Sequence, residues 1–108
     1  MSERAQIALN NSLYVITAYD GELLVGHARI VGDGGLSYIV SDVMVAATHQ
    51  GQGIGKALMK RVDAWLDRYT YSDSYVELLA VEPANHLYAQ FGFVSGEGRI
   101  GMKRQQKN

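Results

Sequence analysis

The chain has 108 residues, 47% of them hydrophobic and 19% charged, with a formal net charge of -1 and no cysteine. This length allows one hydrophobic core, so we expect a single domain over residues 1–108. The charge balance argues against a nucleic-acid partner, and the lack of cysteine excludes a disulfide framework, a thiolate zinc site and a cysteine nucleophile. The N-terminal residues lack the apolar stretch of a secretory signal, and no apolar run approaches the roughly 20 residues of a membrane span, so a cytoplasmic protein without a membrane partner is expected.

The first half of the chain predicts a short helix followed by an antiparallel meander. Residues 3–9 show helical spacing of apolar side chains, which ends at Asn10 and Asn11. Residues 13–19 and 23–31 are rich in aromatic and β-branched residues and are separated by Asp20 and Gly21, a pattern typical of a hairpin. A glycine-rich turn over 32–35 then leads to a third strand over 38–45.

In the second half, the apolar period changes from two to 3.6 and predicts the main helix of the fold. Its apolar face consists of Ile54, Ala57, Leu58, Val62, Trp65, Leu66 and Tyr69. A strand over 75–81 and a short helix over 84–91 follow, with Pro83 in the helix's first turn and Gly92 as its left-handed cap.

The last predicted element is a hairpin of residues 93–94 and 99–103, before a polar tail over 104–108. The order of elements is therefore α-βββ-α-β-α-ββ. It indicates a mixed α+β fold in which the strands on either side of the main helix are parallel neighbours.

The segment from Gln50 to Lys56 contains three alternating glycines, Gly51, Gly53 and Gly55, between a strand and a helix N-terminus. Glycine allows close approach of the backbone to a ligand, and free N–H groups with the helix dipole attract an anion, so a phosphate site is indicated. A glycine-rich turn that only opens a packed helix is the structural alternative.

Two common phosphate motifs do not match this segment. Gln50 stands where a Walker loop has its first glycine, and Ala57 stands where that loop has its Ser or Thr. The dinucleotide pattern G-x-G-x-x-G does not begin at either Gly51 or Gly53. A nucleotide-binding protein is therefore the weaker interpretation.

Read from Gln50, the segment is Q-x-x-G-x-G and resembles the acetyl-CoA signature of the GNAT superfamily of N-acetyltransferases. It follows a strand that includes Asp42 to Val45, as in that family. A second segment, Leu87 to Phe93, is similar to the family's late L-Y-x-x-x-G-F motif. The order and spacing of both motifs match the family, and the resemblance runs from about residue 13 to residue 102.

The resemblance implies a GNAT-like sheet that is mostly antiparallel, with a parallel pair splayed around acetyl-CoA as cosubstrate and with no metal. Backbone N–H groups would bind the pyrophosphate, and the strand edge would bind the pantetheine arm and hold the thioester oxygen. The implied cofactor-binding residues are Val43, Met44, Val45, Gln50, Gly51, Gln52, Gly53, Ile54, Gly55 and Lys56. Three basic side chains could lie near the ribose phosphate or on a solvated helix face: Lys56, Lys60 and Arg61.

Tyr88 matches the family tyrosine that protonates the departing CoA thiolate; the structural alternative is simple packing near Phe91. The proton acceptor for the amine stays open among four candidates: Asp42, Glu77, His27 and His86. Asp42 is the candidate taken as catalytic because it precedes the pantetheine strand, although Ser41 occupies the register of the carboxylate found in some relatives. A capping or pairing role for Asp42 is the structural alternative.

The chain departs from the family in two places. Val81 stands where many relatives have an asparagine, seven residues before the tyrosine. Only one short helix precedes residue 13, so a second subunit closes the acceptor pocket or the pocket is open. The resemblance implies acetyl transfer to a primary amine on a small molecule or peptide in a ternary complex, with homodimer formation as a further expectation. A CoA-binding module without efficient turnover is the alternative.

Overall fold

A computed structural model describes residues 2–107, so both terminal residues of the predicted domain, 1 and 108, lie outside the described part. Helix α1 is Glu3–Asn10, and strands β1, β2 and β3 are Tyr14–Asp20, Leu23–Gly32 and Ser37–Val45. The three strands form the predicted antiparallel meander, and Gly21 takes a left-handed φ of 61° in the first hairpin turn. The sequence pattern therefore identified each of these elements to within one residue at either end.

Helix α2, Ile54–Tyr69, covers one face of this sheet, as its 3.6 period predicts. Its buried side chains meet those of β2 and β3 in a core formed by Ala28, Ile30, Tyr38, Val40, Leu58, Met59, Val62, Leu66 and Tyr88. Gly26 lets the helix approach closely, because a Cβ atom there would lie 3.0 Å from Ile54 Cγ2 and 3.1 Å from Leu58 Cδ1. The first turn of α2 is thereby held against the middle of the sheet.

Strand β4, Tyr75–Glu77, lies beside β3 and parallel to it, and completes a sheet of order β1-β2-β3-β4. Pairing runs only from Ser37 opposite Tyr75 to Ile39 opposite Glu77, so the predicted strand over 75–81 is too long. Leu78 packs against the core while residues 79–81 leave the ladder, which opens a gap between the two parallel strands. This splayed parallel pair is the feature that the resemblance implies.

Helix α3, Asn85–Ala89, is shorter than the predicted 84–91. The chain leaves it through Gly92, whose φ is 86°. Phe93 N–H donates to the Tyr88 carbonyl at 3.2 Å and Gly92 N–H to the Ala89 carbonyl at 3.2 Å. These two bonds define a Schellman motif, which confirms the predicted role of Gly92 as a left-handed cap.

The final hairpin predicted over 93–94 and 99–103 is wrong for this structure, in which residues 93–107 form neither helix nor strand. Phe93 packs against the core, but the other apolar side chains of the segment lie in solvent, with Val94 84%, Ile100 86% and Met102 89% exposed. A two-stranded hairpin that buries no apolar face is marginal in water, so the alternating pattern alone does not form one here. The described sheet consequently ends at β4.

The sheet face opposite α2 carries side chains that the core does not cover. Register partners share a face, so Val15 lies beside Arg29, and Met44 lies beside His27 on the same side. Among residues 2–107, no helix combines the length and the apolar character that crossing a membrane requires.

Candidate functional site

The segment 50–56, here called the glycine loop, presents its backbone to solvent at the start of α2. Gly51 has a φ of 78° and Gly53 a φ of 84°, and a Cβ atom added at either position would meet nothing within 4 Å. Within residues 2–107, the backbone N–H groups of residues 51–56 have no hydrogen-bond acceptor; the first in α2 to find one is Ala57 N–H, at 3.0 Å from the Gly53 carbonyl. The loop is thus a row of free donors with open space before it.

Side chains on both flanks hold the glycine loop in place. Gln50 Nε2 donates to the Val45 carbonyl at 3.2 Å, which ties the loop to the end of β3. His49 Nε2 lies 2.9 Å from Oδ2 of Asp20, the last residue of β1, and His49 Nδ1 lies 2.8 Å from Thr48 Oγ1. The Asp20–His49 contact was not predicted, because no local spacing links the end of β1 to the segment before the glycine loop.

Glycine is needed at position 55 for a different structural reason than at Gly51 and Gly53. A Cβ atom there would lie 3.2 Å from Leu87 Cδ2 and 3.7 Å from Val45 Cγ2. The missing side chain lets α2 pack closely on α3 and β3, and it does not face open space. Among the three glycines, only Gly51 and Gly53 keep the loop's outer surface clear.

A cleft of about 220 Å³ lies where β3 and β4 diverge. It is lined by Val40, Asp42, Val43, Leu78, Leu79, Val81, Ala84 and Tyr88. Beyond Ile39, the side of β3 that faces this cleft has no strand partner in the described chain. Its backbone groups are therefore available to a ligand.

The β3 edge, Val43–Val45, leads from the cleft to the glycine loop. Ala46 N–H donates to the Val25 carbonyl at 2.8 Å, across the ladder with β2. Because N–H groups alternate along a strand, the N–H and carbonyl of Val45 point away from β2 and toward the side of the cleft. The Gln50 contact with that carbonyl agrees with this orientation.

A β-bulge interrupts β3 at its entrance to the cleft. His27 pairs with Met44 and Arg29 with Ser41, so Asp42 and Val43 together stand opposite the single residue between those partners. Asp42 has a φ of 54°, which makes it the non-glycine residue with a left-handed backbone in the described chain. This conformation costs a non-glycine residue about 1–2 kcal/mol, so the contacts around it must hold it.

Tyr88 lies on α3 with its ring in the core and only 8% of the residue exposed. Burial raises the pKa of its phenol above the ordinary value, so the group stays protonated at neutral pH. The side chain lines both the cleft and a wider groove of about 870 Å³ between β4 and residues 93–101. This position brings a protonated hydroxyl-bearing side chain to the meeting point of two depressions.

Two of the four candidate proton acceptors line the depressions described above. Asp42 lines the cleft, and Glu77 lines the wider groove. His27 and His86 line neither of the two. Lys56, Lys60 and Arg61 are exposed on α2, and no group of three His, Asp or Glu side chains in residues 2–107 could hold a metal ion.

Among curated proteins, this chain is similar to an uncharacterised N-acetyltransferase, ycf52, from Gracilaria tenuistipitata var. liui, with 27% identity over 106 residues. The match covers 93% of this chain, which spans 57% of that relative's length.

Two solved structures are more similar. A protein of unknown function from meticillin-resistant Staphylococcus aureus is 34% identical with a TM-score of 0.91, covering 96% of this chain and 79% of that chain. A GNAT-family acetyltransferase from Streptococcus pneumoniae is 32% identical with a TM-score of 0.77, covering 100% of this chain and 82% of the other. The acetyltransferase (GNAT) domain model matches residues 10–95. By this match, by its fold and by these relatives, the chain belongs to the GNAT acetyltransferase family.

Proposed function

We propose that this protein is an N-acetyltransferase that moves the acetyl group of acetyl-CoA to a primary amine by direct attack in a ternary complex. On the sequence grounds given above, we place this activity in the cytoplasm. The observation that carries the proposal is the continuous path from the free donors of the glycine loop, along the β3 edge, to the cleft that contains Tyr88. Acetyl-CoA has phosphate groups, an extended arm and a reacting thioester, and these parts need a set of donors, a strand edge and a cleft in that order.

The glycine loop fits a pyrophosphate. Its N–H groups at residues 51–56 are free, they lie at the positive end of the α2 dipole, and no Cβ atom at Gly51 or Gly53 blocks the approach of an anion. Lys56, exposed in the first turn of α2, adds a positive charge beside the loop. These features support assigning residues 50–56 to the cosubstrate's phosphates.

The β3 edge suits the pantetheine arm, since an extended chain with amide groups can hydrogen-bond to an unpaired strand edge. Acetyl-CoA supplies an activated acyl group, and attack by an amine places negative charge on its carbonyl oxygen. A backbone N–H of the β3 edge that is fixed before the reaction would stabilise that charge without reorganising. The N–H groups of Val43–Val45 that point to the side of the cleft, as Val45 N–H does, are assigned this task.

Tyr88 is assigned the role of proton donor to the departing thiolate. Its phenol is protonated because burial raises its pKa, and it lines the cleft beside the β3 edge. A phenol with a pKa of about 10 or more transfers its proton uphill to a thiolate whose thiol has a pKa of about 8.5, so position matters more than acidity. The amine must lose its own proton, and Asp42 and Glu77 are the candidates that line the cleft and the groove.

The proposal is tested by measuring release of the free CoA thiol from acetyl-CoA with a panel of amines. We expect release above the hydrolysis background with at least one class among amino sugars, polyamines, amino acids and lysine peptides, together with a mass gain of one acetyl group on that amine. Tight acetyl-CoA binding without amine-dependent thiol release would instead identify a CoA-binding module.

A second copy of the chain is the proposed partner of the sheet face opposite α2. Val15, Ile39 and Met44 are exposed there, and a strand edge or apolar face of this kind invites self-association. We expect sedimentation equilibrium to give a homodimer, and Ile39→Asp with Met44→Asp to shift it toward monomer. A fully active protein that sediments only as a monomer at working concentration would contradict the dimer.

A further inference from the structure

The bulge in β3 lies between two well-paired stretches of the β2–β3 ladder, at the point where the β3 edge begins. Asp42, in its left-handed conformation, is the bulged residue. Bulges of this kind redirect the strand and the backbone groups that follow. The direction of the N–H groups of Val43–Val45 therefore depends on the backbone of Asp42.

Two side chains of β2 hold Asp42, one at its carboxylate and the other at its carbonyl oxygen. Arg29 Nε donates to Asp42 Oδ2 at 2.7 Å, and His27 Nδ1 lies 3.0 Å from the Asp42 carbonyl oxygen. A carbonyl oxygen can only accept, so Nδ1 of His27 carries the proton and donates it. The carboxylate and the carbonyl of one residue are thus both fixed by a neighbouring strand.

Arg29 is itself tied to the end of α1. Its Nη1 donates to Ser12 Oγ at 3.2 Å, and Ser12 Oγ donates to the Ala8 carbonyl at 2.8 Å. The Arg29 side chain is 17% exposed and the Asp42 side chain 52% exposed. The guanidinium is therefore the shielded, anchored partner, and Asp42 is the residue that it restrains.

We propose that His27 and Arg29 form a clamp that holds Asp42 in the left-handed conformation and thereby aims the β3 edge at the thioester. Asp42 is then a positioning residue whose backbone matters, and its carboxylate is not the base that accepts the amine proton. The clamp rests on the proposed function for its consequence in catalysis, but the conformation that it imposes can be tested without any turnover.

The test of conformation compares the urea midpoints of unfolding of Asp42→Gly and Asp42→Ala. Glycine adopts a positive φ without strain and alanine does not, so we expect the glycine variant to have the higher midpoint. The matched control is Asp67, an exposed aspartate of α2 with ordinary helical backbone, where Asp67→Ala should be more stable than Asp67→Gly. If Asp42→Ala fails to fold while Asp42→Gly folds, the glycine variant is again the more stable of the two. Equal midpoints, or a higher midpoint for Asp42→Ala, would overturn the clamp.

The test of positioning compares kcat, KM for acetyl-CoA and the pH profile in the same variants. We expect Asp42→Ala to lower kcat by about tenfold or more, as small displacements of catalytic groups do, and Asp42→Gly to recover a clear part of that loss. The acid limb of the profile should be the same in Asp42→Gly as in the original protein. Loss of the acid limb, with equal kcat in the glycine and alanine variants, would make Asp42 the base and overturn the proposal.

A double-mutant cycle tests whether Arg29 acts through Asp42. Arg29→Met should reduce kcat in the original background but add little in the Asp42→Gly background, because the glycine no longer needs the ion pair. Independent, multiplicative losses would overturn the coupling. If the original protein acetylates no amine, the proposed function fails, and the same cycle measured with urea midpoints of unfolding still decides whether Arg29 and Asp42 are coupled.

Discussion

Tyr88→Phe is expected to lower turnover at neutral pH by roughly a hundredfold or more, the typical loss of a general acid, with little change in acetyl-CoA affinity. The ring packs in the core, and phenylalanine preserves that packing, so the variant should fold. What it lacks is the hydroxyl, whose pKa burial raises and which therefore carries its proton throughout the neutral range. The measurement is a steady-state assay with a verified acceptor and chemistry as the slow step.

The pH dependence of this deficit separates a proton donor from a packing residue. A thiolate leaves with less need of protonation as the pH approaches the thiol pKa of about 8.5. The turnover of Tyr88→Phe should therefore come closer to that of the original protein on the alkaline side. Tyr71→Phe is the matched control, since Tyr71 is exposed and lines neither the cleft nor the groove. A folded Tyr88→Phe protein with the original turnover near pH 7 would show that Tyr88 only packs.

Local patterns in the sequence were sufficient to predict most of this fold. The alternation in residues 13–45 and the 3.6 period from Ile54 to Tyr69 each have one dominant geometric solution, and the structure contains it. The final hairpin was predicted from the same kind of alternation but did not form, because a strand also needs a partner and an apolar face to cover. The last parallel strand ended early for a related reason, since Leu78 turns into the core instead of continuing the ladder.

The geometry of the candidate site was predictable where it depends on the backbone and less so where it depends on distant side chains. Glycines at alternating positions before a helix indicate a phosphate loop, and their left-handed φ values at Gly51 and Gly53 follow from the same residues. The Arg29–Asp42 ion pair and the Asp20–His49 contact join residues 13 and 29 positions apart, and no spacing rule connects them. The sequence pattern does not predict the bulge at Asp42 either, since an aspartate in a strand is indistinguishable from an ordinary polar residue of that strand.

Gly53→Ala is expected to weaken acetyl-CoA binding by at least about tenfold, which corresponds to roughly 1.4 kcal/mol. The added methyl group would stand in the open space before the glycine loop, where the phosphate must approach its donors. It would also strain a residue whose φ is 84°, so loss of affinity must be separated from loss of stability.

Gly34→Ala is the control that separates loss of acetyl-CoA affinity from loss of stability. Gly34 has a φ of 82° with nothing within 4 Å of an added Cβ atom, and it lies in the turn before β3, whereas the glycine loop follows the other end of that strand. The two substitutions should therefore cost about the same stability, of order 1 kcal/mol for the left-handed backbone, while only one touches the proposed phosphate site.

Calorimetric titration of acetyl-CoA into the original protein, Gly34→Ala and Gly53→Ala is the most direct test of the claim that the glycine loop holds the cosubstrate. We predict measurable binding that Gly34→Ala retains and Gly53→Ala loses by at least about tenfold, with similar unfolding midpoints for the two variants. Equal affinities in folded Gly53→Ala and Gly34→Ala proteins would contradict the assignment of residues 50–56 to the phosphates.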